Sequence, residues 1–176
     1  MLTHLRRALV VSIFFAVLLG LGYPLAETGI AQAAFSHQAN GSIAANGSTL
    51  IGQQWKGAQW FHGRPDAYTP MATGGTNLGP RSKQLEASVA KQIAAYKKAG
   101  ITPTPGLVTT SGSGVDPDIS PAAAYAQVDA VARARGLPAT SVRQLVAAHV
   151  HGPDLGFLGS SYVDVLQLND ALSQLR

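Results

Sequence analysis

Nineteen consecutive residues, Ala8 to Ala26, carry no charged side chain, with Arg6 and Arg7 bordering them on one side and Glu27 on the other. Wound as an α-helix rising about 1.5 Å per residue, the stretch reaches roughly 28 Å, close to the thickness of a bilayer's hydrocarbon core. The next lysine or arginine after it is Lys56. The positive-inside bias therefore predicts a cytoplasmic N-terminus and sends everything later across the membrane.

A cleaved signal peptide is the competing reading. Met1 to Arg7 makes a basic n-region and Ala31-Gln32-Ala33 has the small-x-small form of a cleavage site. Cleavage near Ala33 would release a secreted, stand-alone binding protein. Retention is favoured because the apolar run exceeds the usual signal-peptide core of about 7 to 15 residues. Pro24 removes a backbone donor and predicts a bend near the outer interface, where Tyr23 is a favoured interfacial aromatic. Leu25, Ile30 and Phe35 continue an apolar face beyond it. Gly20, Gly22 and Gly29, with Tyr23 and Pro24, are the candidates for packing against another membrane helix, although glycine is common in membrane helices in any case.

The division that follows is a cytoplasmic N-terminus over 1–7, a membrane helix with its outer extension over 8–35, and one extracytoplasmic domain over 36–176. The expected class is α+β: one N-terminal transmembrane helix followed by a single small domain. A chain of 176 residues leaves room for one such core. Its net charge of +4 falls to about +2 without Arg6 and Arg7, and the other basic residues are scattered, which argues against nucleic acid. The chain has no cysteine, so packing alone must hold the domain, and thiol chemistry is excluded. With only 12% charged residues, its surface suits docking on other subunits.

Along the domain, Asn40-Gly41 and Asn46-Gly47 suit tight turns, and Thr49 to Ile51 reads as a strand. Trp55, Trp60, Phe61 and Tyr68 surround His62-Gly63-Arg64-Pro65. Large rings beside a guanidinium make interface hot spots, or equally a local core; core suits Trp60 and Phe61, partner contact suits Arg64. A glycine-rich loop over 73–80 leads to Ser82 as N-cap of an amphipathic helix carrying Leu85, Val89, Ile93 and Tyr96 and closed by Gly100. Thr102 to Pro105 reads as a stiff linker and Leu107 to Thr110 as a strand. Ser120-Pro121 opens a helix that ends at Gly136. Ser141 to Gln144 fits a capping box for the next, which Gly152-Pro153 terminates. Tyr162 to Leu166 reads as a last strand, with Asn169 capping a final turn that ends at Arg176.

Candidate chemistry is thin. Gly112-Ser113-Gly114 suggests an anion cradle, but Pro117 stands where a dinucleotide fingerprint needs its third glycine, and no Gly-Lys-Ser/Thr occurs. The glycines read as a turn. Asp116 and Asp118 are spaced like the first ligands of a calcium loop without its closing Glu, and His149 with His151 lacks a third ligand. Ser111 or Ser113 with His149 and Asp116 makes a hydrolase triad only on paper, since no G-x-S-x-G elbow supports it. No catalytic residue, metal ligand or cofactor site is assigned.

Other segments carry a resemblance. Tyr23-Pro24-Leu25 with Thr28-Gly29-Ile30-Ala31-Gln32, Gln38 to Ser42, Leu50-Ile51-Gly52-Gln53 and Phe61-His62-Gly63-Arg64-Pro65 stand in order. Gly74-Gly75 with Asn77-Leu78-Gly79-Pro80, Ser111 to Gly114 with Asp116-Pro117, Ile119 to Ala124, and Leu155 to Gly159 complete the set. The whole resembles the C subunit of the bacterial Kdp potassium-transporting ATPase. The resemblance implies a noncatalytic subunit of a high-affinity potassium pump in the inner membrane, needed for assembly. Its partners would be a channel-like A subunit, a P-type ATPase B subunit and a small single-span subunit. It further implies a catalytic chaperone that raises the ATP affinity of the B subunit, with ATP reached only through the complex. On this reading Phe61, His62, Arg64, Asn77, Ser111, Ser113 and Asp116 are candidates for partner contact.

Overall fold

Residues 1–69 and 72–175 are described by a computed structural model, in which the chain divides into two units, Met1–Ile43 and Ala44–Arg176. In the first, α1 (Leu2–Val17) runs through a π-helical turn (Leu18–Gly22) into α2 (Tyr23–Ala34), followed by the single turn α3 (Ser36–Ala39). The N–H of Tyr23 donates to the carbonyl of Leu18, five residues back. A proline at position 24 has no N–H for the ordinary ladder and its ring crowds the preceding turn. The wider π turn just before Pro24 takes up that misfit while the helix stays unbroken. Thr28 Oγ1 donates to the Pro24 carbonyl at 2.7 Å, and Tyr23 hydrogen-bonds Glu27 one turn on. From Leu2 to Ala34 the 33 residues form the one helix, among those described, long and apolar enough to cross a membrane. Phe35 leaves the helix, with φ at −140°.

The short strand β1 (Ile43–Ala44) spans the boundary, and β2 (Gly47–Ser48) follows in the second unit, entered from the turn at Asn46. The strand expected over Thr49 to Ile51 is instead turn and bend. α4 (Lys83–Lys98) starts where expected, the hydroxyl of Ser82 accepting the Leu85 N–H at 3.4 Å. Lys97 and Lys98 in its last turn complement the helix dipole. Leu85, Val89, Ile93 and Tyr96 share its inner face, yet all are only half-buried.

The core is built from α6 (Pro121–Arg135), α7 (Ala139–Ala148) and α8 (Val165–Gln174). Ala123, Ala124, Val128 and Val131 of α6, Val142 and Val146 of α7, and Leu168 and Leu172 of α8 are buried together with Phe61 and Leu107. The small side chains of α6 let its neighbour approach closely, and α6 packs on α7 as α7 packs on α8. Ser120 Oγ caps α6 by accepting the Ala123 N–H at 3.2 Å, and Gly136, with φ at +67°, closes it in the left-handed conformation that glycine tolerates.

Further expectations fail here. Leu107 and Val108 belong to a short helix, α5 (Pro105–Val108), because Pro105 can occupy a first helical turn and the two apolar residues then point into the core. α7 begins at Ala139 after Pro138, so Ser141 lies inside its first turn and makes no capping box; the helix is over at Ala148, before Gly152-Pro153. The last strand, β4 (Val163–Asp164), is two residues long, pairing antiparallel with β3 (Asp118–Ile119). Asp164 then caps α8 through the Gln167 N–H at 2.8 Å, so Val165 and Leu166 are helical. Asn169 accordingly sits within α8 rather than at a cap, and Arg176 lies outside the described residues.

Candidate functional site

Two irregular segments, 61–66 and 111–118, lock together beside α6 and α8. Their backbone groups cannot enter a helix or a long ladder, so side chains must satisfy them. Asn169 does this for Phe61: its Oδ1 accepts the Phe61 N–H and its Nδ2 donates to the Phe61 carbonyl, each at 2.9 Å. Gln127 does the same for the next residue, accepting the His62 N–H at 2.9 Å and donating to the His62 carbonyl at 3.0 Å. Both carboxamides are fully buried. Phe61 is thereby driven into the core and is itself fully buried, so its side chain offers a partner no surface. Its place among the contact candidates is withdrawn in favour of the core reading.

The His62 ring donates to the Gly57 carbonyl at 3.1 Å. Burial lowers its pKa below the ordinary histidine value, partly offset by the carbonyls of Gly57 and Trp55. The ring borders a cavity of about 620 Å³ lined also by Trp60, Gln92, Tyr96, Gln127 and Arg133. The Arg135 guanidinium lies 5.1 Å from the centre of the Trp60 ring, and Trp60 in turn contacts Trp55 at 5.0 Å between ring centres.

Arg64 joins the two segments. It donates to the carbonyls of Thr109 at 3.2 Å and Thr110 at 2.8 Å, and pairs with Asp116 at 3.3 Å. Half-exposed and fully engaged, it is a brace as well as a surface group. Tyr68 supports it from below, donating to the Arg64 carbonyl at 2.6 Å, and burial first, then the nearby Asp66, pushes the phenol well above its ordinary pKa.

Asp66, like Gln127, is a residue that sequence reading missed. Its buried carboxylate accepts the Ser111 N–H at 2.7 Å, the Ser111 hydroxyl at 2.5 Å and the Asp116 N–H at 3.2 Å. Ser111 Oγ accepts the Gly114 N–H at 2.9 Å, Ser113 Oγ the Val115 N–H at 3.2 Å and Asp116 Oδ1 the Asp118 N–H at 3.1 Å. The Gly-Ser-Gly turn is therefore bracketed by Ser111 and Asp116, whose N–H groups, with the Ser111 hydroxyl, are bound to the protein's own Asp66 carboxylate. The carbonyls of Ser113, Gly114 and Val115 are taken too, by the N–H groups of Gly74, Tyr68 and Gly52 respectively. Gly52 approaches so closely that a Cβ there would stand 2.4 Å from the Asp116 carbonyl oxygen.

Asn77 lies outside this knot, exposed on the glycine-rich loop with φ at +53°. His149 is held at the end of α7, its ring nitrogen 2.8 Å from the Leu145 carbonyl, so it joins neither Ser111 nor Ser113 in the hydrogen bonds that define this site. Among the described residues no three His, Asp or Glu side chains converge as a metal site. Asp118 faces Asp164 across the β3–β4 pair. Burial first, then the charges of Asp164 and Asp116, pushes the Asp118 carboxyl up to about 6. In the long apolar helix, Gly20 and Gly29 leave open space where a side chain would stand.

The family model described as K+-transporting ATPase, c chain, matches residues 5–174. A potassium-transporting ATPase KdpC subunit of Caulobacter vibrioides is 50% identical, covering 98% of this chain and 93% of its own length. The protein of the same name from Sorangium cellulosum is 48% identical with both chains covered in full. That of Acidobacterium capsulatum is 46% identical over 99% of this chain and all of its own.

Proposed function

The chain belongs to the family of C chains of the K+-transporting ATPase, and we propose that within the pump it is a noncatalytic subunit that holds the assembly together. The observation that carries this is the union of a membrane-length apolar helix with a domain whose most polar loop is occupied by its own side chains. The helix crosses the inner membrane with the N-terminus inside, and the domain lies on the extracytoplasmic face, following the distribution of Arg6, Arg7 and the later basic residues. The A, B and small single-span subunits are its partners. Arg64, His62, Asn77, Ser113 and Asp116 remain the contact candidates on the domain, Ser111 being withdrawn because it is buried with its hydroxyl on Asp66, and Gly20, Gly22, Tyr23, Pro24 and Gly29 those on the helix.

Nucleotide sits on the other side of the membrane from a domain so placed, and the Ser111 to Asp116 loop already holds the carboxylate of Asp66. A chaperone effect on ATP affinity then works by differential contacts with the A and B subunits in two states of the pump, not by contact with ATP. The test is potassium-stimulated ATP hydrolysis by the pump purified with and without this chain. Loss of assembly, or a raised KM for ATP at unchanged potassium, is the expected result. A pump that assembles and keeps its KM for ATP without the chain would overturn the reading.

A further inference from the structure

The connection from α7 to β4 ends in a tip, Asp154-Leu155-Gly156-Phe157-Leu158, on which Leu155 is 83%, Phe157 73% and Leu158 51% exposed. A flexible loop would fold such side chains away from water. This one is closed beneath them. The N–H of Asp154 donates to the Leu158 carbonyl and the N–H of Leu158 to the Asp154 carbonyl, both at 2.9 Å, while Gly156 N–H reaches the Pro153 carbonyl at 3.1 Å. At the base, His151 and Tyr162 bridge through their backbones and stack with ring centres 4.9 Å apart. Leu155 is held at φ +53°, in the left-handed region that a leucine seldom adopts. Strain of this kind persists where surrounding bonds over-determine the backbone, and it gathers at contact sites. The apolar groups are thus presented in advance, with little ordering left to be done on binding.

The charge of the sequence that carries the tip selects the occupant. From residue 144 to 175 there is no lysine or arginine, and Asp154, Asp164 and Asp170 are the charged residues. Lipid surfaces recruit basic segments, so this composition gives no attraction to one. It suits a protein recess with an apolar floor and hydrogen-bond donors or basic side chains at the rim to meet Asp154. We propose that the tip is a preformed plug that seats in such a recess on the outward face of another subunit of the pump. This rests on the extracytoplasmic placement proposed above.

The test replaces Leu155 and Phe157 together with serine in the full chain and measures recovery of the partner subunits on a tag carried by this chain. At least tenfold lower recovery is expected, with thermal unfolding unchanged because both side chains project into solvent, and Phe157→Leu should recover partners as the wild type does. Equal recovery by the double variant would overturn the plug while leaving the subunit reading intact. Failure of the wild-type chain to recover any partner would overturn both. Because the chain lacks cysteine, Phe157→Cys carrying a polarity-sensitive dye reports the surroundings of the tip alone. With the isolated chain in phosphatidylcholine vesicles the dye should emit as in water, and a blue shift there would assign the tip to lipid instead.

Discussion

Asn169 closes both backbone hydrogen bonds of Phe61, a residue 108 positions earlier, with one planar carboxamide and two contacts of 2.9 Å. The pair acts as a one-residue strand. It holds the 61–66 segment against α8 where no sheet is available to do so. Removing it leaves a buried N–H and a buried carbonyl without partners, each costing about 1–3 kcal/mol. Asn169→Ala should therefore destabilise the domain by about 3 kcal/mol in urea unfolding of the full chain in detergent. Gln127→Ala should cost less, since His62 is partly open to water that can replace the lost bonds. A change below about 1 kcal/mol for Asn169→Ala would show that water satisfies Phe61 as well.

Asp66 organises the polar knot through three accepted hydrogen bonds, two of them from buried Ser111. Asp66→Ala should lower stability by about 2–4 kcal/mol, hydrogen bonds to a charged group being stronger than neutral ones. Proteolytic sensitivity should increase around Ser111 to Asp116 before it does anywhere in α6 or α8. Uniform sensitivity along the domain would contradict a local role.

Arg64 bonds two carbonyls and a carboxylate in different directions, which a planar guanidinium can do and an ammonium cannot. Arg64→Lys should thus behave nearly as badly as Arg64→Ala, each losing about 1–2 kcal/mol given that the ion pair is partly exposed. If Arg64→Ala weakens recovery of partner subunits while leaving the unfolding midpoint unmoved, the residue is a contact and the brace is dispensable.

Asp118 gives a pH signature. Its carboxyl is pushed up to about 6 in the folded chain, chiefly by burial and then by Asp164 across the strand pair. The folded state therefore binds a proton that the unfolded chain, with a pKa near 4, has released. Stability from this group is full below about pH 4 and is lost as pH rises through about 6. Asp118→Asn should be more stable than the wild type by about 1 kcal/mol at pH 7, allowing for solvent screening, with the gap closing between about pH 6 and pH 4. A gap that does not change with pH would trace the effect to packing.

Orientation can be read by labelling. Because there is no native cysteine, Ser160→Cys should react with a membrane-impermeant maleimide in intact spheroplasts, while Thr3→Cys should react only after lysis. The opposite pattern would invert the topology and remove the basis for placing the domain outside.

What local spacing could reveal was considerable. Ser82, Ser120 and Gly136 end helices where their chemistry says they should, since a cap involves only the next few residues. Leu107 to Thr110 and Tyr162 to Leu166 were harder: short β-branched runs suit either state, and the choice fell to a proline at Pro105 and a capping carboxylate at Asp164. A signal for the buried amides was present and easily overlooked. Gln127 falls in the 124, 127, 128, 131 rhythm of α6, and Asn169 in the 165, 168, 169, 172 rhythm of α8, so each is a polar side chain on an apolar face.

Residue order alone was enough to establish an uncharged rod of membrane length, a thiol-free domain and the family's ordered motifs, because each depends on neighbours within a few positions or on composition. Which carboxylate ties Ser111 to Asp116, which amides hold Phe61 and His62, and that Phe61 faces inward were settled only by folding. Those pairings span 45 to 108 residues, and a hydrogen bond across such a separation exists only after helix packing has brought donor and acceptor to within about 3 Å.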